Sequence, residues 1–401
     1  MLTRISALLS KNPGFETSLL GWVRTVRQQK KYSFIDIDDG SGNIQVVIPS
    51  SNLEHVITGA SIEVTGTLVQ GPHALEIQGN SIKVIGKSDV NYPLAKKAHT
   101  MEHLRDCVHF RSRTQTIASA LRIRSEASFA IHNFFRKEGM INIGFFYIQT
   151  PIITGNDCEG AGELFEIKNS EDFFGKKAYL TVSGQLHGEI FASSLGRIYT
   201  FGPTFRAEKS HTQRHLAEFW MIEPEMINYS LQDTYTLASN LAKSIIEHAL
   251  NNNHQDLINL HRNPQDLENV VKSEWTVITY EKAKTITNKQ DIGLSTEEEK
   301  YLTENHYKGP VIVTNYPKEI TPFYMKKGDK FAENFDMLLP GVGEIVGGSV
   351  REENFDVLEP LVPDKKALEW YLDLRKYGTA LDFMWIFFWV YRKMFHMQGL
   401  G

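Results

Sequence analysis

Cysteine is nearly missing from this chain of 401 residues: Cys107 and Cys158 stand far apart and form no C-x-x-C pair. That excludes a disulfide framework and a cysteine zinc site, and it points to a reducing compartment. Long apolar runs are missing as well. The densest stretch, LDFMWIFFWVYRKMF from Leu381 to Phe395, has an uncharged core only from Phe383 to Tyr391, far short of the ~20 residues that a membrane span needs. The amino terminus lacks the long apolar stretch and small-residue cleavage site of a secretory signal, so the sequence reads as cytoplasmic with no membrane partner. Neither sign of charge dominates, since 43 basic against 48 acidic side chains give −5. This balance argues against a general nucleic-acid coat protein but leaves room for a local basic face. There is also no G-x-x-x-x-G-K-[ST] loop, and no G-x-G-x-x-G turn between a strand and a helix. A nucleotide would have to be held by another device.

A chain of this length exceeds what one core usually serves, so a small and a large domain are expected. From Thr17 to about Gly86, apolar and polar residues alternate in short runs such as SLLGWVRTV, YSFIDIDDGSGNIQVVIP and ASIEVTGTLVQG. This is the period of strands that are buried on one face. Four or five such strands with a DDGSG turn predict a closed all-β barrel of the OB-fold type over residues 1–87. Residues 88–106 lose the period and read as a linker with a short helix, leaving 107–401 as the second domain. There, Ala118 to Glu138 has helical spacing and ends at Gly139. Strand-like runs occur further on at AYLTVSG, RIYTFGP, EFWMIEPEM and VIVTNYP, together with a helix at LQDTYTLASNLAKSIIEHALNN. Strands grouped around a few helices without βαβ alternation predict an α+β domain on an antiparallel sheet.

The most chemically suggestive stretch is Phe205-Arg206-Ala207-Glu208, then Arg214 and His215, then Glu218-Phe219. An arginine fork can grip a phosphate, a glutamate can accept from an exocyclic amine, and an aromatic face can stack on a purine. Taken alone, the same residues could equally be a solvated hairpin with ordinary surface charges.

TFGPTFRAEKSHTQRHLAEFWMIEPEM nevertheless resembles motif 2 of the class II (subclass b) aminoacyl-tRNA synthetases, in the form of the asparagine and aspartate enzymes. GWVRTVRQQKKYSFIDIDDGSGNIQVVI resembles the anticodon-binding barrel of that family. GFFYIQTPIITGNDCEGAGELF is similar to motif 1 and the loop after it. LTVSGQLHGE, NYPKEITPFYM and LLPGVGEIVGGSVREE are similar to the amino-acid and metal-binding segments. The resemblance implies an OB-fold joined to a class II catalytic domain, with ATP, an amino acid and tRNA as partners. It also implies a homodimer, because motif 1 forms the subunit interface in the family.

Roles carry over residue by residue. Arg206, Arg351 and Arg392 become the catalytic arginines, with Arg206 on the α-phosphate and the substrate carboxylate. Glu208 would take the adenine amine and Phe219 the adenine ring, while Arg214 and His215 approach the outer phosphates or the tRNA end. Asp336 and Glu344 fall where the family places its Mg²⁺ carboxylates, and hard oxygen donors suit that ion. Glu344 then also belongs to the ATP site. Glu159, Gln185, Glu223, Glu225 and Arg351 surround the amino acid. In the barrel, Phe34, Gln45 and Glu76 match positions that stack on or hydrogen-bond anticodon bases, the usual way such barrels read unpaired RNA. The implied chemistry needs alignment and charge neutralisation more than proton transfer.

Asparagine is favoured over aspartate by the residue at position 188. Aspartate enzymes usually carry a lysine three residues after the equivalent of Gln185, and here that position is Gly188. The expected activity is therefore ATP-dependent activation of asparagine and its transfer to the 3′ end of tRNA(Asn). The rival readings are an aspartate enzyme of relaxed specificity and a silent tRNA-binding paralogue. After WYLDLRKYGT the resemblance breaks. The family continues into motif 3 with a glycine-rich strand, whereas this chain reads ALDFMWIFFWVYRKMFHMQGLG. Arg392 matches the motif 3 arginine only when counted back from Gly399-Leu400. The expectation is a catalytic domain truncated or altered at motif 3, with bulky residues crowding the nucleotide site.

Overall fold

The computed structural model describes residues 2–94, 97, 99–137, 144–155, 164–207 and 216–378, and the backbone of 384–389. It divides into two compact units, Met1–Leu121 and Arg122–Gly401.

In the first unit the alternating runs become β1 (Glu16–Gln28), β2 (Tyr32–Asp38), β3 (Asn43–Pro49), β4 (Ser61–Gln70) and β5 (Leu75–Gly86). They close into a barrel in the order β1-β2-β3-β5-β4, with β3 and β5 parallel. Every second residue points inward, and Leu19, Ile35, Val46, Ile62, Val64 and Ile77 are fully buried. Each such side chain contributes about 1.5–3 kcal/mol relative to an exposed position. The DDGSG turn works as its composition suggests. The Asp38 carboxylate accepts from the Gly40 N–H at 2.7 Å, and Asp39 accepts from the Ser41 N–H at 2.9 Å. Gly40 adopts φ +86°, where a side chain would be strained. Asp39 also holds the Ile5 N–H at 2.9 Å. Ile5 and Leu8, both fully buried in the barrel core, sit on a short helical turn that begins there.

The second unit is built on an eight-stranded sheet. Its strands are β6 (Phe146–Tyr147), β9 (Arg197–Phe205), β10 (Glu218–Met226), β11 (Thr276–Thr279), β12 (Val311–Thr314), β13 (Asn334–Leu339), β14 (Gly343–Val350) and β15 (Met384–Trp389). A separate two-stranded ribbon pairs β7 (Ile153–Thr154) with β8 (Tyr179–Leu180). The sheet order is β11-β12-β13-β14-β15-β10-β9-β6, antiparallel except at β11–β12 and β6–β9. Four helices matter below: α1 (Gln115–Lys137), α2 (Gln185–Leu195), α3 (Leu231–Asn252) and α4 (Glu369–Lys376). A Ser230–Asp233 capping box starts α3, which buries Leu237, Leu241, Ile245 and Ile246, the stripe that its 3.6-residue period predicts.

Two departures from the sequence pattern have local causes. AYLTVSG keeps only Tyr179–Leu180 as strand. Beyond it, the Thr181 hydroxyl donates to the Ser183 carbonyl at 2.6 Å and the Ser183 hydroxyl donates to Glu223, so side chains divert the backbone from a ladder. In β10, Pro224 sits inside a central strand. It pairs with Tyr199 of β9, but Glu223 and Pro224 have no partner in the register with β15. Proline has no N–H to offer that ladder. Where a glycine-rich strand is missing from the sequence, the backbone of residues 384–389 still forms β15, between β14 and β10.

Candidate active site

Strand alternation places Glu223 and Glu225 on one face of β10. Glu223 is 2% exposed. It accepts from the Ser183 hydroxyl, from the Gly184 N–H at 3.0 Å and from the Thr200 hydroxyl at 3.0 Å. Burial raises its pKa, and these bonds and the charge of Arg206 pull the other way. A Cβ at Gly184 would lie 2.7 Å from the Thr150 hydroxyl and 3.1 Å from a Glu223 oxygen, so only glycine lets the chain pass this close. A cavity of about 240 Å³ opens here, lined among others by Tyr147, Thr200, Trp220 and Glu223. The Arg206 guanidinium carbon sits 5.5 Å from the centre of the Phe219 ring, within cation–π range.

Glu225 joins a second, fully buried cluster with Gln185 and Glu189 from α2 and with Arg351, which directly follows β14. Arg351 Nη2 donates to Gln185 Oε1 and to Glu225 Oε1, both at 3.3 Å, and its Nε lies 3.0 Å from Glu189 Oε1. Its guanidinium carbon is 4.3 Å from the Tyr324 ring centre. Burial alone would lower the Arg351 pKa, but Glu189 and Glu225 more than offset that and hold it above its ordinary value. Burial raises the Glu225 pKa above its ordinary value, with the Arg351 charge opposing. Gln185 Nε2 and Glu225 Oε2 in this cluster have no hydrogen-bond partner among the described residues. Such atoms are costly inside a protein unless a ligand satisfies them.

Asp336 and Glu344 lie on adjacent strands, β13 and β14, close to the Tyr316 hydroxyl. That hydroxyl is driven well above its normal pKa by burial, then by Asp336, to which it hydrogen-bonds, and by Glu344. The Glu344 N–H donates to Glu299 Oε2 at 3.3 Å. Within the barrel, Phe34, Gln45 and Glu76 form one continuous face. Arg27 lies 5.3 Å from the Phe34 ring centre and donates to Gln45 Oε1 at 3.0 Å, and Gln45 Nε2 donates to Glu76 Oε2 at 2.9 Å.

The fold thus brings Gln185, Glu225 and Arg351 together, sets Arg206 beside Phe219, and gathers Asp336 and Glu344 at Tyr316. Glu159, Glu208, Arg214, His215 and Arg392 lie outside the described residues. Sequence reading passed over Arg27, Glu189, Tyr371 and Arg375. Arg375 carried one signal, its i,i+4 spacing from Tyr371.

Residues 101–381 match the family described as tRNA synthetases class II (D, K and N), and residues 17–85 match the OB-fold nucleic acid binding domain. The asparagine–tRNA ligase of Treponema denticola is 43% identical over 95% of this chain and 92% of its own length. That of Borreliella afzelii is 45% identical over 90% and 87%. Among solved structures, asparaginyl-tRNA synthetase from Pyrococcus horikoshii complexed with asparaginyl-adenylate superposes with a TM-score of 0.88 at 27% identity, covering 99% of this chain and 95% of that one. The chain belongs to the class II tRNA synthetases of the D, K and N group.

Proposed function

We propose that the protein is an asparagine–tRNA ligase, which joins asparagine to AMP with release of pyrophosphate and then passes the asparaginyl group to the terminal ribose hydroxyl of tRNA(Asn). The observation that carries this reading is the buried Gln185–Glu225–Arg351 cluster. It offers a guanidinium donor beside a carboxylate oxygen that has no partner among the described residues. A side-chain amide satisfies both, its carbonyl accepting from Arg351 and its NH₂ donating to Glu225. An aspartate carboxylate has nothing to donate and would meet Glu225 as a like charge.

Glu223 receives the α-ammonium group, and Arg206 bridges the substrate carboxylate and the α-phosphate, with Phe219 under the adenine. The substrate carboxylate is itself the nucleophile, so the residues act by holding it in line with the α-phosphorus and neutralising charge. Glu159, Glu208, Arg214, His215 and Arg392 enter this reading by resemblance alone. Asp336 and Glu344 suit Mg²⁺, being two hard oxygen donors on neighbouring strands. When bound, the ion supplies charge neutralisation on the triphosphate. The barrel face at Phe34, Gln45 and Glu76 takes the anticodon.

The working form is a homodimer in the cytoplasm. Phe129 on α1 is 61% exposed, Phe146 and Tyr147 form an edge strand with 41% exposure each, and exposed aromatics of this kind suit a subunit contact. Among the described residues no helix is long and apolar enough to cross a membrane. Pyrophosphate exchange tests the reading: asparagine should drive it and aspartate should not. Exchange with aspartate, or with neither amino acid, overturns it.

A further inference from the structure

Two carboxylates touch Arg351, and they are bonded differently. Glu225 has one oxygen without a partner among the described residues, as a substrate ligand should. Both oxygens of Glu189 are already occupied. Oε1 accepts from the Tyr371 hydroxyl at 2.8 Å and lies 3.0 Å from Arg351 Nε as an ion pair, and Oε2 accepts from Arg375 Nη2 at 2.8 Å. Arg375 is fixed in turn. Its Nη2 donates to the Tyr371 oxygen at 2.9 Å, its Nε donates to the Glu352 carbonyl at 3.0 Å, and its guanidinium carbon lies 4.2 Å from the Tyr371 ring centre. Glu189, Tyr371 and Arg351 are fully buried and Arg375 is nearly so.

We propose that Glu189, clamped by Tyr371 and Arg375 of α4, is a positioning residue for amino-acid selection that fixes the direction of Arg351 and balances its charge. The proposal rests on the asparagine reading above and extends it to residues that do not meet the substrate.

Charge in a dry site makes the selection. Arg351 and Arg375 supply two positive charges, and Glu189 and Glu225, the latter counted as ionised in its 3.3 Å pair with Arg351, supply two negative ones. The cluster is neutral before substrate arrives, so a neutral amide keeps it neutral while a carboxylate leaves an uncompensated buried charge. An Arg351 without Glu189 would be a net cation in the pocket and would attract aspartate. Geometry acts in the same sense. With Nε ion-paired to Glu189 and the guanidinium carbon 4.3 Å from the Tyr324 ring centre, the guanidinium is held against rotating to present a two-pronged edge to a carboxylate. Tyr371 and Arg375 reach Glu189 from one face of α4, four residues apart, so a short helix holds both prongs of the clamp.

The test compares E189Q, E189Q/R375M and Y371F with the parent chain. Pyrophosphate exchange and thermal shifts with the sulfamoyl analogues of asparaginyl- and aspartyl-adenylate are the readouts. E189Q should raise the asparagine KM about tenfold with little change in kcat or in the ATP KM, and should cut the preference for asparagine over aspartate by about tenfold. E189Q/R375M restores neutrality and should recover preference relative to E189Q, which a purely structural role would not do. Equal losses for both amino acids in E189Q overturn the proposal. So does an unchanged preference in Y371F, which keeps every charge and stands in if E189Q fails to fold. A parent chain that prefers neither analogue would instead refute the asparagine reading itself.

Discussion

Gly188 and Glu225 are in mutual contact: a Cβ built on Gly188 would lie 2.9 Å from Glu225 Cγ and 3.4 Å from Ile198 Cδ1. The glycine makes room for the carboxylate that, in the proposed function, faces the substrate side chain. Gly188→Ala should therefore displace Glu225 and weaken asparagine activation about tenfold through KM, a loss of about 1–2 kcal/mol. Gly188→Lys should abolish it, since the ammonium would also sit beside an amide that can offer it only a carbonyl. Steady-state exchange kinetics decide the matter, and an unaltered asparagine KM in the alanine variant would refute the spatial argument.

Phe34→Ala should impair tRNA charging and spare amino-acid activation. Stacking on an unpaired base is worth about 1–3 kcal/mol, and in the structure the ring already carries a cation partner, Arg27. Charging and exchange rates measured side by side give the answer. Equal losses in both would mean that Phe34 serves only barrel stability.

Sedimentation at micromolar concentration should give twice the chain mass of 45.7 kDa. Phe129→Glu, at an exposed position of α1, should shift the protein toward the monomer without lowering its helix content. A parent chain that sediments as one subunit would remove the dimer from the proposed function.

Glu298 provides a pH handle. Burial would raise its pKa, but Lys284 at 2.7 Å, the Ser295 N–H at 2.8 Å and the Thr287 hydroxyl at 2.8 Å bring it down to about 2 from 4.5. A carboxylate depressed on folding stabilises the protein fully above its unfolded pKa, and that stability is lost as pH falls toward the folded value. The contribution is on the order of 3 kcal/mol at neutral pH. Glu298→Gln should lower the urea midpoint clearly at pH 7 and converge on the parent between pH 4.5 and 2. A mutant-to-parent gap that stays constant across that range would contradict the assignment.

Period-two alternation made the barrel legible, because one residue in two faces a single core and leaves a plain pattern. Motif residues singled out Arg206, Gln185 and Arg351 as candidates, and the fold sets Gln185 and Arg351 in one buried cluster. The clamp on Arg351 was not readable in advance. Glu189 and Arg375 meet across 186 residues, and a buried charge looks like a surface one until the fold shows what covers it. The shortening of β8 was equally hidden, since hydroxyls that prefer local acceptors leave no periodic trace.

The place of β15 bears on how the molecule is made. Among the described residues, the strand that leads into Arg351 and the strand that carries Glu225 share the sheet through β15 alone. A nascent chain halted before residue 384 would hold every side chain of the Arg351 cluster yet expose two unpaired strand edges, those of β10 and β14, the condition that invites misassembly and chaperone capture. Emergence of residues 384–389 from the ribosome closes that seam. Ligand-binding competence should therefore switch on as a late, all-or-none event of biosynthesis instead of growing with chain length.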